Sequence, residues 1–232
     1  MPILAIDTSS PWCSVAIYFS QDHYFYRHER VDNKASQYVL PWVEELMLEC
    51  SIQWSDIDAI AVSIGPGSFT GIRLGIGLAQ GLAYARQKPL IPIPSNDGML
   101  ANYIFIMKNY VSNEHPLYVL LDARMNQSYF ASYSIKNSID IQRNGEIQLL
   151  NYNAIDFKQV GTFITFEMQS VLNELDITSF DNFYNATPNA IGIGYCASLK
   201  NKLDDFLPQH CYPLYVRDQV ALSIAQRALL AK

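Results

Sequence analysis

Short apolar runs separated by polar turns dominate the first sixty residues. Residues 3–6 form a continuous apolar run, the pattern of a strand that is buried on both faces of a sheet, and residues 59–64 form a second, largely apolar run. Residues 12–19 form another β-like run after the turn Ser9–Pro11, and residues 23–30 form a more polar one. The pattern predicts a hairpin from the first two runs, a third strand beside it and a further buried strand at 59–64.

Helical spacing appears twice between these runs. Apolar residues recur at three- and four-residue intervals over 36–50, which predicts an amphipathic helix. The turn Gly65–Gly67 ends the last buried run, and a second helix is expected from about residue 68 or 70 to Arg86. Strand, glycine turn and helix in this order predict an α/β fold.

The second half of the chain begins with a similar pattern. Residues 118–122 echo residues 3–7, and a second β-like run again follows a short polar turn. The same offset of 115 residues (122 minus 7) matches two later pairs, Ala16 with Ala131 and Tyr18 with Tyr133. These matches leave two interpretations open, an internal duplication or two unrelated α/β halves.

The end of the chain gives further predictions. Residues 136–150 form a polar excursion, and the pattern over 151–185 predicts no element. Four elements are expected after it: a strand at 190–193, a helix at 195–206, a strand at 212–216 and a helix at 218–231 capped by Asp218.

Composition and charge restrict the class of protein. Half of the 232 residues are hydrophobic and 16% are charged, as in ordered globular proteins. The net charge of −6 disfavours a protein that binds nucleic acid by itself, because phosphate binding requires clustered Lys and Arg. The four cysteines lack metal-binding spacing, and no signal peptide or long apolar span is evident, so a cytoplasmic protein is expected.

The glycine turn resembles a phosphate-binding loop but departs from its spacing. No Gly-Lys-Ser/Thr ending follows Gly65, and the third glycine lies one residue too late for a dinucleotide fingerprint. A structural role for this loop is therefore favoured over nucleotide binding. No serine elbow and no HxxxH or HExxH pair is present, so neither a catalytic residue nor a metal ligand is predicted.

The helix after this loop contains four glycines, which cost an isolated helix about 3–4 kcal/mol relative to alanine. They belong to two lines of small residues: Gly71, Gly75, Ala79 and Ala83, and Gly77, Gly81 and Ala85. Such lines allow another helix or a sheet to approach closely. Packing within the protein and packing against a partner are both open for each line.

Asp7, Thr8 and Ser9 lie between the first two strands and resemble the phosphate-binding hairpin of actin-like ATPases. They are the candidate remnant of a nucleotide site. An ordinary turn is the alternative, since Asp and Ser are common turn formers.

Several blocks of sequence together resemble the TsaB (YeaZ) family, formerly grouped with the glycoprotease-like M22 proteins. The blocks are Ile3–Ser9, Gly65–Gly75, Gln80–Ala83, Leu121–Arg124 and Pro213–Arg217. The resemblance implies an actin-like, Hsp70-like ATPase (ASKHA) fold of the α/β class, with two similar lobes that each contain a mixed sheet flanked by helices. The lobes are expected at residues 1–109 and 110–232, the first carrying the partner-binding helices.

The resemblance also implies a role without catalysis or cofactor. TsaB-like proteins bind a TsaD-like catalytic paralogue and, with a TsaE-like ATPase, support transfer of threonylcarbamoyl to the adenine beside the anticodon of tRNA. The paralogue has an HxxxH metal motif that this sequence lacks. Contact with tRNA is expected to be indirect, no membrane is involved, and a homodimer is expected when the paralogue is absent.

The resemblance places the pairing surface on the two helices at 36–50 and 69–86. The residues expected there are Gln37, Leu40, Val43, Met47, Gly71, Arg73, Gly75, Ile76, Ala79 and Ala83. Where relatives often carry His before Ser or Thr, this chain has Ala35–Gln37, so any role of that histidine is absent. The alternative function is an actin-like-fold ATPase or small-molecule kinase that uses Asp7 and Asp122. A metalloprotease, suggested by the old family name, lacks ligands.

Overall fold

The computed structural model describes residues 1–106, 115–136, 140–174 and 182–217, and it places their strands in two sheets. The first sheet contains β1 (Ile3–Asp7), β2 (Trp12–Ser20), β3 (His23–Arg30), β4 (Ala59–Ser63) and β5 (Leu90–Ile93). The second contains β6 (Leu117–Asp122), β7 (Gln127–Lys136), β8 (Asp140–Arg143), β9 (Gln148–Asn151), β10 (Thr162–Thr165) and β11 (Phe183–Asn185). The helices are α1 (Ala35–Glu49), α2 (Phe69–Arg86), α3 (Ser95–Ile106), α4 (Gln169–Glu174) and α5 (Ala190–Ser198).

The two sheets share one topology. The first has the order β3-β2-β1-β4-β5 and the second has β8-β7-β6-β10-β11, with β9 pairing β7. In each sheet, the first two strands form an antiparallel hairpin. The first strand of the hairpin also pairs in parallel with a third strand, which pairs in parallel with the edge strand. The expected pair of similar lobes with mixed sheets is confirmed.

The register of the two hairpins differs by one residue. Asp7 pairs with Ser14 across the first hairpin, whereas Asp122 pairs with Ser128 across the second. The second turn is therefore one residue shorter. The match of Ala16 with Ala131 found at a constant offset is consequently one position out of structural register.

Both faces of the first sheet are covered, as the apolar runs of β1 and β4 predict. Leu4, Ile6 and Val62 pack with α1 and α2 on one face. On the other face, small side chains such as Ala5 and Ala61 pack with α5. Their small size leaves room for a helix close to the sheet.

Helices α3 and α5 cross at two glycines between the sheets. A Cβ atom on Gly192 would lie 2.0 Å from the carbonyl oxygen of Gly98, so only glycine fits at this crossing. Met99 and Leu100 of α3 pack against the second sheet. Helix α5 thus lies against the first sheet although it comes late in the chain. The lobe boundary expected at 109/110 falls outside the described residues.

The predictions for the C-terminal part need correction. Residues 190–193 are helical rather than a strand, and the helix ends at Ser198 rather than at residue 206. The side chain of Asn189 accepts a hydrogen bond from the Ile191 N–H and begins the helix. Residues 212–216 form no strand. The helix expected at 218–231 lies outside the described residues.

Short apolar runs do not distinguish a buried strand from a buried helix, which explains the first of these errors. Strands β5 and β8 to β11 and helices α3 and α4 had no counterpart in the pattern. In the part of the chain that the structure describes, no helix is long and apolar enough to cross a bilayer.

Candidate functional site

A cleft of about 840 Å³ opens between the two sheets. The β1–β2 turn and the start of α2 form one wall, the β6–β7 turn forms the opposite wall, and residues 213–217 cross it. The residues that line it are Ser9, Ser10, Pro11, Asp32, Asn33, Pro66, Gly67, Ser68, Phe69, Ile72, Leu121, Asp122, Ala123, Arg124, Met125, Tyr129, Phe166, Glu167, Pro188, Pro213, Leu214, Tyr215, Val216 and Arg217. Ser9 lines the cleft, but its neighbours Asp7 and Thr8 lie behind the surface.

Asp7 is buried at the end of β1, with 2% of its surface exposed. Its Oδ1 accepts hydrogen bonds from the Ser9 N–H at 2.8 Å and the Ser9 hydroxyl at 2.7 Å. Burial raises the pKa of Asp7 to about 6, because removal from water disfavours the carboxylate more than the two bonds favour it. A raised pKa beside a cleft is a feature of functional sites, and burial in a structural turn produces it as well.

The glycines at the start of α2 pack directly onto this turn. A Cβ atom would lie 2.3 Å from the Ser9 carbonyl oxygen at Gly67, 2.0 Å from the Thr8 carbonyl oxygen at Gly71 and 2.4 Å from the Thr8 Oγ1 at Gly75. The Thr8 hydroxyl also donates a 2.8 Å hydrogen bond to the Gly71 carbonyl oxygen. These three glycines are therefore required for contact within the lobe.

Three backbone donors near the turn are used by the protein itself. The N–H of Ser9 binds Asp7, the N–H of Ser68 donates to the Ser9 carbonyl oxygen at 2.7 Å, and the N–H of Gly71 donates to the Ser68 hydroxyl at 3.3 Å. A phosphate group at this position would need such donors. The turn is consequently organised as a packing contact between β1 and α2.

Asp122 occupies the corresponding position in the second sheet. Its Oδ1 accepts hydrogen bonds from the Arg124 N–H at 2.8 Å and the Tyr152 hydroxyl at 3.1 Å, and Oδ2 lies 3.4 Å from the Arg124 guanidinium. Both aspartates therefore bind groups of their own lobes. Within the described ranges, no cluster of three or more His, Cys, Asp or Glu side chains is arranged to hold a metal ion.

The structure divides the predicted partner surface into two sets. Gln37, Leu40 and Arg73 are exposed, and Gly71 is half-buried. The other six residues are buried in the first lobe: Val43, Met47, Gly75, Ile76, Ala79 and Ala83. The side chains or Cα atoms of those six pack against the first sheet and the β1–β2 turn, and the partner surface stays a prediction.

The second line of small residues faces outwards. Gly77, Gly81 and Ala85 are exposed, and among residues 1–106, 115–136, 140–174 and 182–217 nothing lies within 4 Å of a Cβ atom placed on either glycine. Leu74 and Leu78 flank this line and are half-buried. We call this outward face of α2, from Arg73 to Ala85, the α2 surface. The sequence contained a signal for it, since the large residues Ile72 and Ile76 share the face of the inner glycine line.

Comparisons with known proteins place these features in context. The family model described as TsaD, tRNA N6-adenosine threonylcarbamoyltransferase, matches residues 29–152, which include α1, α2 and the β6–β7 turn. Curated proteins named tRNA threonylcarbamoyladenosine biosynthesis protein TsaB also match. The protein from Buchnera aphidicola subsp. Schizaphis graminum is 31% identical over 156 residues, 67% of this chain and 71% of the relative.

Two further TsaB relatives match a shorter part. The Escherichia coli K12 protein is 37% identical over 57% of this chain, and the Haemophilus influenzae protein is 35% identical over 56%. The match spans about half of these relatives' length, 55% and 53%. The solved structure of YeaZ from Pseudomonas aeruginosa has a TM-score of 0.76 at 22% identity and covers 92% of this chain and 99% of its own. That likeness supports the fold.

Proposed function

This chain belongs to the TsaB (YeaZ) family, and we propose that it supports threonylcarbamoyladenosine synthesis in tRNA as a non-catalytic subunit that binds a TsaD-like paralogue. The relatives' names supply the pathway. The reaction itself, transfer of threonylcarbamoyl to adenosine, is assigned to the paralogue. The location proposed for this role is the cytoplasm.

The observation that best supports a binding role is the α2 surface. A helix interior with exposed glycines is weakened by roughly 1 kcal/mol for each glycine relative to alanine. Gly71 and Gly75 are explained by contacts with Thr8, but no described residue lies within 4 Å of a Cβ atom placed on Gly77 or Gly81. A partner helix that approaches the backbone closely at these two positions gives them a function.

The geometry favours this role over an ATPase or small-molecule kinase. Asp7 and Asp122 are both bonded to groups of their own lobes, and the donors around the β1–β2 turn bind internal acceptors. A phosphoryl-transfer site instead needs donors and metal ligands that are directed at the ligand. We assign the cleft a structural role between the lobes.

The proposed assembly contains two further components. A TsaE-like ATPase joins through the complex, and tRNA is held mainly by the other subunits because this chain has a net charge of −6. In the absence of the paralogue, the α2 surface pairs two copies of this chain in a homodimer.

Reconstitution tests the proposal. Unmodified tRNA and threonylcarbamoyl-adenylate are incubated with the TsaD-like and TsaE-like proteins of the same cell, with and without this chain, and the modified nucleoside is measured by mass spectrometry. We expect product with the full set, little without this chain and none from this chain alone. Product from this chain alone, or equal product when it is omitted, contradicts the proposal.

A further inference from the structure

Arg73 on the α2 surface is held between two aromatic rings. Its guanidinium carbon lies 3.4 Å from the centre of the Phe69 ring and 5.5 Å from the centre of the Tyr215 ring. A guanidinium nitrogen also donates a hydrogen bond to the Tyr215 hydroxyl. Both rings remain more than half exposed, at 58% and 53%. The cation is thus held in one orientation at the surface, at little further cost in side-chain entropy.

Tyr215 is itself fixed by neighbouring residues of an extended segment, 211–217. The Leu214 N–H donates to the Ile64 carbonyl oxygen at the end of β4, at 2.8 Å. Arg217 donates to the Ala123 carbonyl oxygen at 2.8 Å and to Gln127 Oε1 at 2.7 Å, which attaches the segment to the second lobe. The ring therefore has a defined position from which to orient Arg73.

Arg73 has no acidic partner among the described residues, unlike several other arginines of the chain. Arg27, Arg30 and Arg143 each form an ion pair with an acidic side chain. Arg73 forms none with another described residue, and the sequence of α2 contains no Asp or Glu. A guanidinium that lies over the Phe69 ring and donates one hydrogen bond to Tyr215 still has further N–H groups at its edge, and such groups bind a carboxylate.

We infer that Arg73 binds a carboxylate of the TsaD-like partner and that Tyr215 is the residue that positions it. This inference rests on the proposed function, and it adds the chemistry of the partner at one end of the α2 surface. Arg is common among the residues that dominate binding energy at interfaces, especially where packing holds it in place. Tyr215 extends the binding surface beyond the two helices to the 211–217 segment.

The test measures affinity for the purified TsaD-like protein by calorimetry at two salt concentrations. Arg73→Gln removes the charge, Tyr215→Phe removes only the hydrogen bond to Arg73, and Tyr215→Leu removes the ring as well. Arg86→Gln is the matched control, because Arg86 is also on α2 and stacks on an aromatic ring, Trp54, at 4.8 Å. Thermal unfolding of each variant establishes that it is folded.

We expect Arg73→Gln to weaken binding about tenfold and to reduce its dependence on salt. Tyr215→Leu should give a similar loss, Tyr215→Phe a smaller one, and Arg86→Gln little change. In a variant that already carries Arg73→Gln, Tyr215→Leu should reduce the affinity much less, since the two residues act together.

Unchanged affinity in Arg73→Gln, with weakened binding in Gly81→Leu, overturns this inference and leaves the proposed function standing. Unchanged affinity in both variants overturns this inference and the α2 surface as the binding site, whereas failure of the unchanged protein to bind the TsaD-like protein contradicts the proposed function. If Arg73→Gln weakens tRNA binding by the complex but leaves the affinity for the TsaD-like protein unchanged, Arg73 binds a phosphate of tRNA. That result also overturns the inference.

Discussion

The hydroxyl of Thr8 donates a hydrogen bond to the carbonyl oxygen of Gly71, across 63 residues of sequence. This bond joins the end of β1 to the first turn of α2. It is possible because Gly71 has no side chain: a Cβ atom there would lie 2.0 Å from the Thr8 carbonyl oxygen. The contact fixes which face of α2 is directed into the lobe.

Alanine at the inner and outer glycines should have opposite effects on stability. Gly71→Ala forces the Thr8 backbone away and is expected to lower the free energy of unfolding by about 1–3 kcal/mol. Gly81→Ala has open space and should raise it by up to about 1 kcal/mol, since alanine favours the helix. Urea denaturation of both variants measures the difference. Equal effects of the same sign would show that the two faces are not distinguished in this way.

Leucine on the α2 surface should separate association from folding. Gly77→Leu and Gly81→Leu add bulk where a partner helix is expected to approach, so we predict that homodimer and heterocomplex weaken about tenfold or more. Their thermal unfolding should stay close to that of the unchanged protein. Analytical ultracentrifugation and calorimetry measure association, with Gly77→Ala as the control of small volume. Normal association of both leucine variants contradicts the proposed surface.

Asp7 should make stability depend on pH. Its pKa is raised from 3.8 to about 6 in the folded protein, so the unfolded state ionises first as the pH rises. The free energy of unfolding contributed by this group therefore falls between about pH 4 and pH 6. Asp7→Asn keeps a side-chain oxygen that can accept from Ser9 and removes this titration. Relative to the unchanged protein, the variant should gain about 2–3 kcal/mol between pH 4 and pH 7.5. Urea denaturation of both proteins across this pH range measures the difference between their free energies of unfolding. A difference that does not change with pH would contradict the prediction.

Two polar contacts should differ in their contribution to stability. Arg30 and Glu167 form a 2.7 Å ion pair between the lobes, but both side chains are exposed, so Arg30→Gln should cost less than about 1 kcal/mol. The Tyr133 hydroxyl is buried and donates to Asp97 at 2.8 Å, so Tyr133→Phe leaves Asp97 without one donor. We expect a loss of about 1–1.5 kcal/mol for that change. Denaturation in low and high salt measures both, and only the Arg30 effect should decrease with salt.

The sequence predicted much of the first lobe because its local signals agree. Residues 3–6 and 59–64 are apolar runs and form β1 and β4, and the glycine turn before α2 ends the second run as expected. The similarity between residues 3–7 and 118–122 predicted a repeated hairpin. The structure contains it, but the second turn is one residue shorter, so the register of the second hairpin differs. The packing of Ser9 and its neighbours against α2 had no local signal, since the two segments are distant in sequence.

The sequence by itself determined that α2 would be a helix with two lines of small residues, because helical periodicity and glycine placement are local properties. Only the tertiary structure decided what the inner line packs against: Gly75 faces Thr8 and Val62, whereas Gly77 and Gly81 face outwards. The same holds for residues 190–193, whose apolar run suits a buried strand or a buried helix equally well. The Asn189 cap and the close crossing at Gly98 and Gly192 select the helix, and such contacts between distant segments cannot be read from periodicity.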